Sequence, residues 1–150
     1  MNDIQQGNIF TEIVLETFKV SGLLTTEGDR LTEAHGLSSA RWKILGSLAR
    51  SSSPLTVSQI ARIMGQARQS VQRLVDVMYK DGILNLTNNP NHKRAKLIVL
   101  TTKGEKIYTN LDEIWNPWAD RYSKQLNKKE LETTLATLKK ISLLFKAEQC

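Results

Sequence analysis

The stretch LTVSQIARIMGQARQSVQRLVDVMYKDG, residues 55–82, constrains the fold more than any other part of the chain. It encodes two amphipathic helices with almost nothing between them. Thr56 is placed to cap the first, and Gln59, three residues on, completes a capping box. Leu55 and Ile60 stand at the positions of a hydrophobic staple around that start. The first helix is predicted from Val57 to about Met64, with Gly65 as its stop. In the second, Val71, Leu74, Val75 and Met78 recur at i, i+3, i+4 and i+7 and form one apolar stripe. Arg68, Gln69, Gln72, Arg73 and Asp76 fall away from it. Asp81-Gly82 ends this helix, glycine being the usual C-terminal stop. Two short helices joined so tightly are a helix-turn-helix.

A hairpin follows directly. ILNLTN and AKLIVLT are rich in branched and apolar residues and read as strands, with NNPNHKR between their cores. Pro90 and the asparagines favour a turn. A hairpin in this position is a wing, and its tip carries His92, Lys93 and Arg94.

The flanks are helical. Residues 8–33 place Ile9, Ile13, Thr17, Val20 and Leu24 at helical spacing. Gly22 and Gly28 interrupt that helix, each costing on the order of 1 kcal/mol against alanine. A kink or a close helix contact would account for them, and His35-Gly36 ends the segment. Ser38 or Ser39 caps a helix over ARWKILGSLAR, with Trp42, Leu45 and Leu48 toward a core. After the wing, Thr102 and Glu105 form a second capping box for a helix through Ile107, Leu111, Ile114 and Trp115. Pro117 should kink it, and it resumes through Trp118 and Tyr122. Asn127 and Glu130 make a third box, stapled by Leu126 and Leu131. The last helix then runs to about Lys146 with Leu131, Leu135, Leu138, Ile141 and Phe145 inward. The fold class is mainly α with a small β-hairpin wing: a winged helix-turn-helix plus a helical region. Its 150 residues fit a single domain. Residues 37–101 form the winged part, and residues 4–33 and 102–147 the helical part.

Charge is distributed unevenly. The net charge is +6. Residues 56–104 hold eight lysines and arginines against Asp76 and Asp81, whereas the rest of the chain balances thirteen bases with thirteen acids. All the net positive charge thus sits in the segment that holds the helix-turn-helix and wing, as in a polyanion binder. Apolar content of 40% and charged content of 24% argue against wholesale disorder. No window approaches 18 uninterrupted apolar residues, so no membrane span is expected. MNDIQQGNIF does not resemble a secretory signal. The single cysteine, Cys150, has no partner for an internal disulfide. A cytoplasmic protein is expected.

Enzymatic chemistry finds little here. The two histidines, His35 and His92, are far apart in the pattern, and Cys150 is terminal. There is no glycine-rich phosphate loop and no metal-ligand spacing. Neither enzyme, metal site nor cofactor is expected. Nucleic-acid chemistry is better supplied. In the major groove, arginine reads guanine, glutamine reads adenine, and serine bonds to bases or phosphate. Arg68, Gln69, Ser70, Gln72 and Arg73 offer that set on the first two turns of the second helix, the turns that enter the groove in this motif. Arg94 suits a narrow minor groove, and His92, Lys93, Lys96 and Lys103 would stand near phosphates. A winged-helix module for protein interaction or sequence-neutral nucleic-acid binding is the alternative.

LSSARWKILGSL, LTVSQIARIMGQARQSVQRLVDVMYKDGIL and AKLIVLTTKG, in that order and spacing, resemble the MarR family of winged-helix transcriptional regulators, from about Phe10 to Phe145. The resemblance implies a homodimer whose N-terminal helix and last two helices intertwine. It implies a recognition helix in the major groove of double-stranded DNA and a wing reaching the minor groove. A small aromatic or anionic effector, bound between the two parts, would usually release DNA, so a repressor is expected. Trp42, Trp115, Trp118 and Tyr122 lie on helices that flank that pocket in the family; a place in the core or a dimer interface is the plainer reading of the same aromatics. Two departures stand out. His92 replaces the aspartate of the family's Asp-x-Arg wing tip, whose arginine matches Arg94. Ala67 replaces the serine that commonly caps the recognition helix, a loss of about 1 kcal/mol. The peroxide-sensing branch's cysteine near the N-terminus has no counterpart.

Overall fold

A computed structural model describes residues 3–149; Cys150 lies outside them. The elements run α1 (Asp3–Thr32), a 3-10 turn (Glu33–His35), α2 (Ser39–Arg50), α3 (Val57–Met64), α4 (Arg68–Lys80), β1 (Leu84–Thr87), β2 (Leu97–Leu100), α5 (Thr102–Ser123) and α6 (Lys128–Gln149). The chain divides into two compact units, Met1–Leu111 and Asp112–Cys150. No described helix is long and apolar enough to cross a membrane.

The first unit is a winged helix-turn-helix with α1 leading into it. Thr56 caps α3 by accepting from Gln59 N at 3.2 Å, and Gln59 Oε1 accepts from Thr56 N at 2.9 Å. The staple residues Leu55 and Ile60 are both buried. Gly65 closes α3 in the left-handed region at φ 65°, where a side chain would be strained. The strands pair antiparallel with Leu84 opposite Leu100 and Thr87 opposite Leu97. On the outer edge of β2, Ile98 N donates to Leu55 O at 2.7 Å, so the segment before α3 joins the hairpin. Ile44, Leu45, Ile60, Val71, Val75, Met78, Leu84 and Ile98 make a continuous core under both helices and the wing. Trp42 and Leu48 pack on it half-buried. Ile44, which the helical reading of α2 passed over, lies deeper than either.

Four expectations are corrected. Helix α1 runs unbroken through Gly22 and Gly28. At Gly28 the reason is close approach: a Cβ there would lie 2.8 Å from Ser39 Cβ, so the glycine lets α1 meet the start of α2. The cap of α5 is Thr101 rather than Thr102. Thr101 Oγ1 accepts from Gly104 N at 3.1 Å and also lies 2.6 Å from Gly82 O, so it caps α5 while holding the turn after α4. Gly104 is required there because a Cβ would collide with Ile83 O. The last helix does not turn its leucines inward: Leu131, Leu135, Leu138 and Phe145 are exposed, and Ile141 is half-buried. Asn127 caps α6 by accepting from Lys129 N at 2.8 Å, but Leu126 and Leu131 are exposed and form no buried staple. Helix α5 continues through Pro117 to Ser123.

Candidate nucleic-acid interface

The candidate surface begins with the two faces of α4. Val71, Val75 and Met78 are fully buried and Leu74 is half-buried, which fixes the rotation of the helix about its axis. That rotation leaves Arg68, Gln69, Gln72 and Arg73 exposed, with Ser70 half-buried at the border. The start of α4 is bare: Ala67 has extended backbone and makes no side-chain capping bond. The first amides of α4 therefore have no side-chain acceptor at the cap, and free amides at a helix start suit an anion.

The far end of α4 is held by two cations that the motif reading did not assign to this task. Arg41 of α2 lies 3.9 Å from the Asp81 carboxylate. Lys103, at the start of α5, donates to the Asp81 carbonyl at 2.8 Å. Positive charge at a helix C-terminus opposes the negative end of its dipole. Lys103, expected near phosphate, thus has a structural partner within the chain. These links join residues 22 and 40 positions apart, and no local pattern signals them.

The wing tip is ordered by its own polar groups. Asn89 Oδ1 accepts from Asn91 N at 3.0 Å, and Asn89 O accepts from His92 N at 3.2 Å. His92 Nδ1 accepts from Ala95 N at 3.1 Å. A backbone amide only donates, so Nδ1 is the acceptor in this bond. The imidazole thus supplies an acceptor within the turn, as a carboxylate at this position would. Lys96 Nζ donates to Asn88 Oδ1 at 2.7 Å across the base of the loop. His92, Lys93, Arg94 and Lys96 are all exposed.

The aromatic residues separate into two places. Trp115, Trp118 and Tyr122 form a ladder along α5, with ring centroids 4.5 and 4.6 Å apart. The Arg121 guanidinium lies 5.1 Å from the Tyr122 ring centroid, a cation–π distance. Trp42 belongs to the first unit, against the core of the winged part. Among the described residues, no three His, Cys, Asp or Glu side chains are grouped to hold a metal ion.

At the joint between α1 and α2, Asp29 Oδ1 accepts from Ser39 N at 2.8 Å. That bond, seconded by the Ser39 hydroxyl, holds the Asp29 carboxyl below its ordinary pKa against the opposing effect of burial, with Lys43 adding a smaller push downward. Buried Thr32 bonds to Gly28 O at 2.8 Å and Leu37 O at 3.2 Å, closing the same corner.

Comparison with known proteins agrees with this geometry. The sequence model of the MarR family matches residues 35–95, from the approach to α2 to the wing. An uncharacterised protein of Mycobacterium tuberculosis is 31% identical over 137 residues, covering 91% of this chain and 94% of its own. The transcriptional activatory protein BadR of Rhodopseudomonas palustris is 27% identical over 93 residues, 61% of this chain and 53% of its own. Among solved structures, the MepR–DNA complex of S. aureus matches with a TM-score of 0.74 at 22% identity, over 85% of this chain and 94% of that one. CouR of Rhodococcus jostii RHA1, bound to p-coumaroyl-CoA, matches with a TM-score of 0.77 at 20% identity, over 87% and 91%. Built around a DNA-binding winged helix and matched by family, relatives and fold alike, the chain belongs to the MarR family of transcriptional regulators.

Proposed function

We propose that this chain acts as a homodimeric, sequence-specific repressor that binds a pseudo-palindromic operator and is released by a small aromatic or anionic effector. The observation that carries the DNA reading is the division of α4. A fully buried stripe of Val71, Val75 and Met78 sets it rigidly, and the opposite face presents Arg68, Gln69, Gln72 and Arg73 to solvent. In this reading those side chains and Ser70 enter the major groove. Arg94 reaches the minor groove, and His92, Lys93 and Lys96 lie along the backbone. The matching folds of MepR, solved with DNA, and CouR, solved with p-coumaroyl-CoA, support both halves of the proposal.

Exposed apolar surface supports the dimer. On α1, Phe18 is 72% exposed and Leu23 61%, with Ile4 and Leu15 above half as well. On α6, Leu143 and Leu144 are 66% and 67% exposed. Two long helices with apolar faces uncovered in one chain call for a covering partner, and a second copy supplies it with the matching faces. In this reading residues 4–33 and 102–147 form the dimerisation part and residues 37–101 the DNA-binding part. For the effector, the Trp115–Trp118–Tyr122 ladder with Arg121 offers ring faces beside a cation, the chemistry that holds an aromatic anion.

Selection of bound sites from a random DNA pool tests the proposal. The expected product is a pseudo-palindrome with half-sites about 10 base pairs apart, one helical turn. Absence of any preferred site would favour sequence-neutral binding or protein interaction instead. A reporter driven from the selected site should fall on co-expression, and a rise would reverse the sign. Titration with aromatic acids should change tryptophan fluorescence and weaken DNA binding together.

A further inference from the structure

One acid stands on the exposed face of α4. Asp76 is the only acidic residue between Arg68 and Lys80. A carboxylate beside DNA repels phosphate, so its presence on a reading face calls for a compensating role. The structure supplies one. Gln72 Nε2 donates to Asp76 Oδ1 at 2.9 Å, one helical turn along the same face. A carboxylate only accepts, so the chemistry itself decides which way the amide of Gln72 points: NH2 toward Asp76, Oε1 away.

We propose that Asp76 is a specificity-determining positioning residue that holds the Gln72 amide for adenine. This rests on the reading of α4 as the recognition helix. Adenine presents N7 as acceptor and its N6 amino group as donor in the major groove, and a glutamine amide meets both with one N–H and its Oε1. Asp76 occupies the other hydrogen of the NH2 group, which leaves that pair free. Guanine presents two acceptors, N7 and O6. To satisfy both, Gln72 has to present both N–H groups and give up Asp76. The held amide therefore favours adenine and penalises guanine at one base pair of each half-site. Among the described residues, no acid is bonded to Gln69 or Arg73 on the same exposed face, so the discrimination is local to Gln72.

The test uses the full-length protein and the operator selected by the wild type, with every base pair of a half-site changed in turn and binding measured by competition. Asp76→Ala should reduce the adenine-over-guanine preference at one position by about fivefold or more, a fraction of what a bidentate contact discriminates. Gln72→Ala should relax the same position, and adding Asp76→Ala to it should change that preference no further. Asp76→Asn is the decisive control. Its Oδ1 still accepts the Gln72 bond, but the charge is gone, so it should keep the preference that Asp76→Ala loses. Both Asp76 variants should tighten binding to unrelated DNA alike, because each removes one negative charge. Equal relaxation by Asp76→Asn and Asp76→Ala, or an unchanged preference in Asp76→Ala, would overturn the positioning role while leaving the operator reading intact. A wild-type protein that selects no site overturns the operator reading and this inference with it.

Discussion

Helices α4 and α6 carry apolar stripes of the same kind and meet opposite fates. In α4, Val71, Val75 and Met78 have no solvent exposure. In α6, Leu131, Leu135, Leu138 and Phe145 follow the same helical spacing and stay between 37% and 56% exposed. The difference lies in what stands opposite. Helix α4 faces α2, α3 and the hairpin, all within one compact unit. Helix α6 belongs to the second unit, which has only part of α5 beside it in sequence. Apolar periodicity says that a face needs covering. It does not say whether the same chain or a second copy covers it.

Substitutions in the two stripes should therefore behave differently. The largest effect is expected at Met78. Met78→Ala should lower the stability of the winged unit by about 2–5 kcal/mol, from lost burial plus the cavity left behind. Denaturant unfolding should show this loss equally at every protein concentration. Leu138→Ala on α6 should act through association, costing about 1.5–3 kcal/mol per protomer if the side chain is fully covered in the dimer. Its unfolding midpoint should depend on concentration, and the double variant Leu135→Glu with Leu138→Glu should be monomeric by light scattering at micromolar concentration. A wild-type protein that is itself monomeric there would break the comparison.

Smaller effects sharpen the exposed side of α4. Arg73→Ala should weaken operator binding by at least about 1 kcal/mol while leaving the unfolding midpoint unchanged. Arg94→Ala on the wing should weaken binding and lower the slope of log affinity against log salt by about one. Identical salt slopes for the variant and the wild type would remove Arg94 from the interface. The smallest effect is expected at Asp29, where α1 joins the buried unit. Its folded pKa lies below the reference value of 3.8. The ionised form thus favours the folded state, fully above 3.8 and less and less as pH falls through the depressed folded value. Asp29→Asn should flatten the loss of stability in that acid window and leave the dependence at higher pH untouched, as read by thermal unfolding across pH.

Features set by neighbours in sequence were legible in it. The Thr56–Gln59 box, the Gly65 turn and the stripe of α4 need only residues within about two helical turns, and each stands where the pattern puts it. The missing cap at Ala67 was equally plain. Partners far along the chain were not legible. The capping role moved from Thr102 to Thr101 because Thr101 also reaches Gly82, nineteen residues earlier. The same distance hid the contacts that make Gly28 and Gly104 glycines, and those that tie Arg41 and Lys103 to Asp81. His92 breaks the expected wing-tip pattern, yet it supplies an acceptor to Ala95 N.

The sequence by itself determined the local elements: where α3 and α4 start and stop, which face of each is apolar, and which third of the chain is basic. Those follow from backbone geometry and side-chain type over a few residues. Only the tertiary structure decided which apolar faces are covered, what holds the end of α4, and which way the amide of Gln72 points. Each depends on where a second group sits in space. Burial and hydrogen bonding act over a few ångströms, and the fold alone brings distant residues that close.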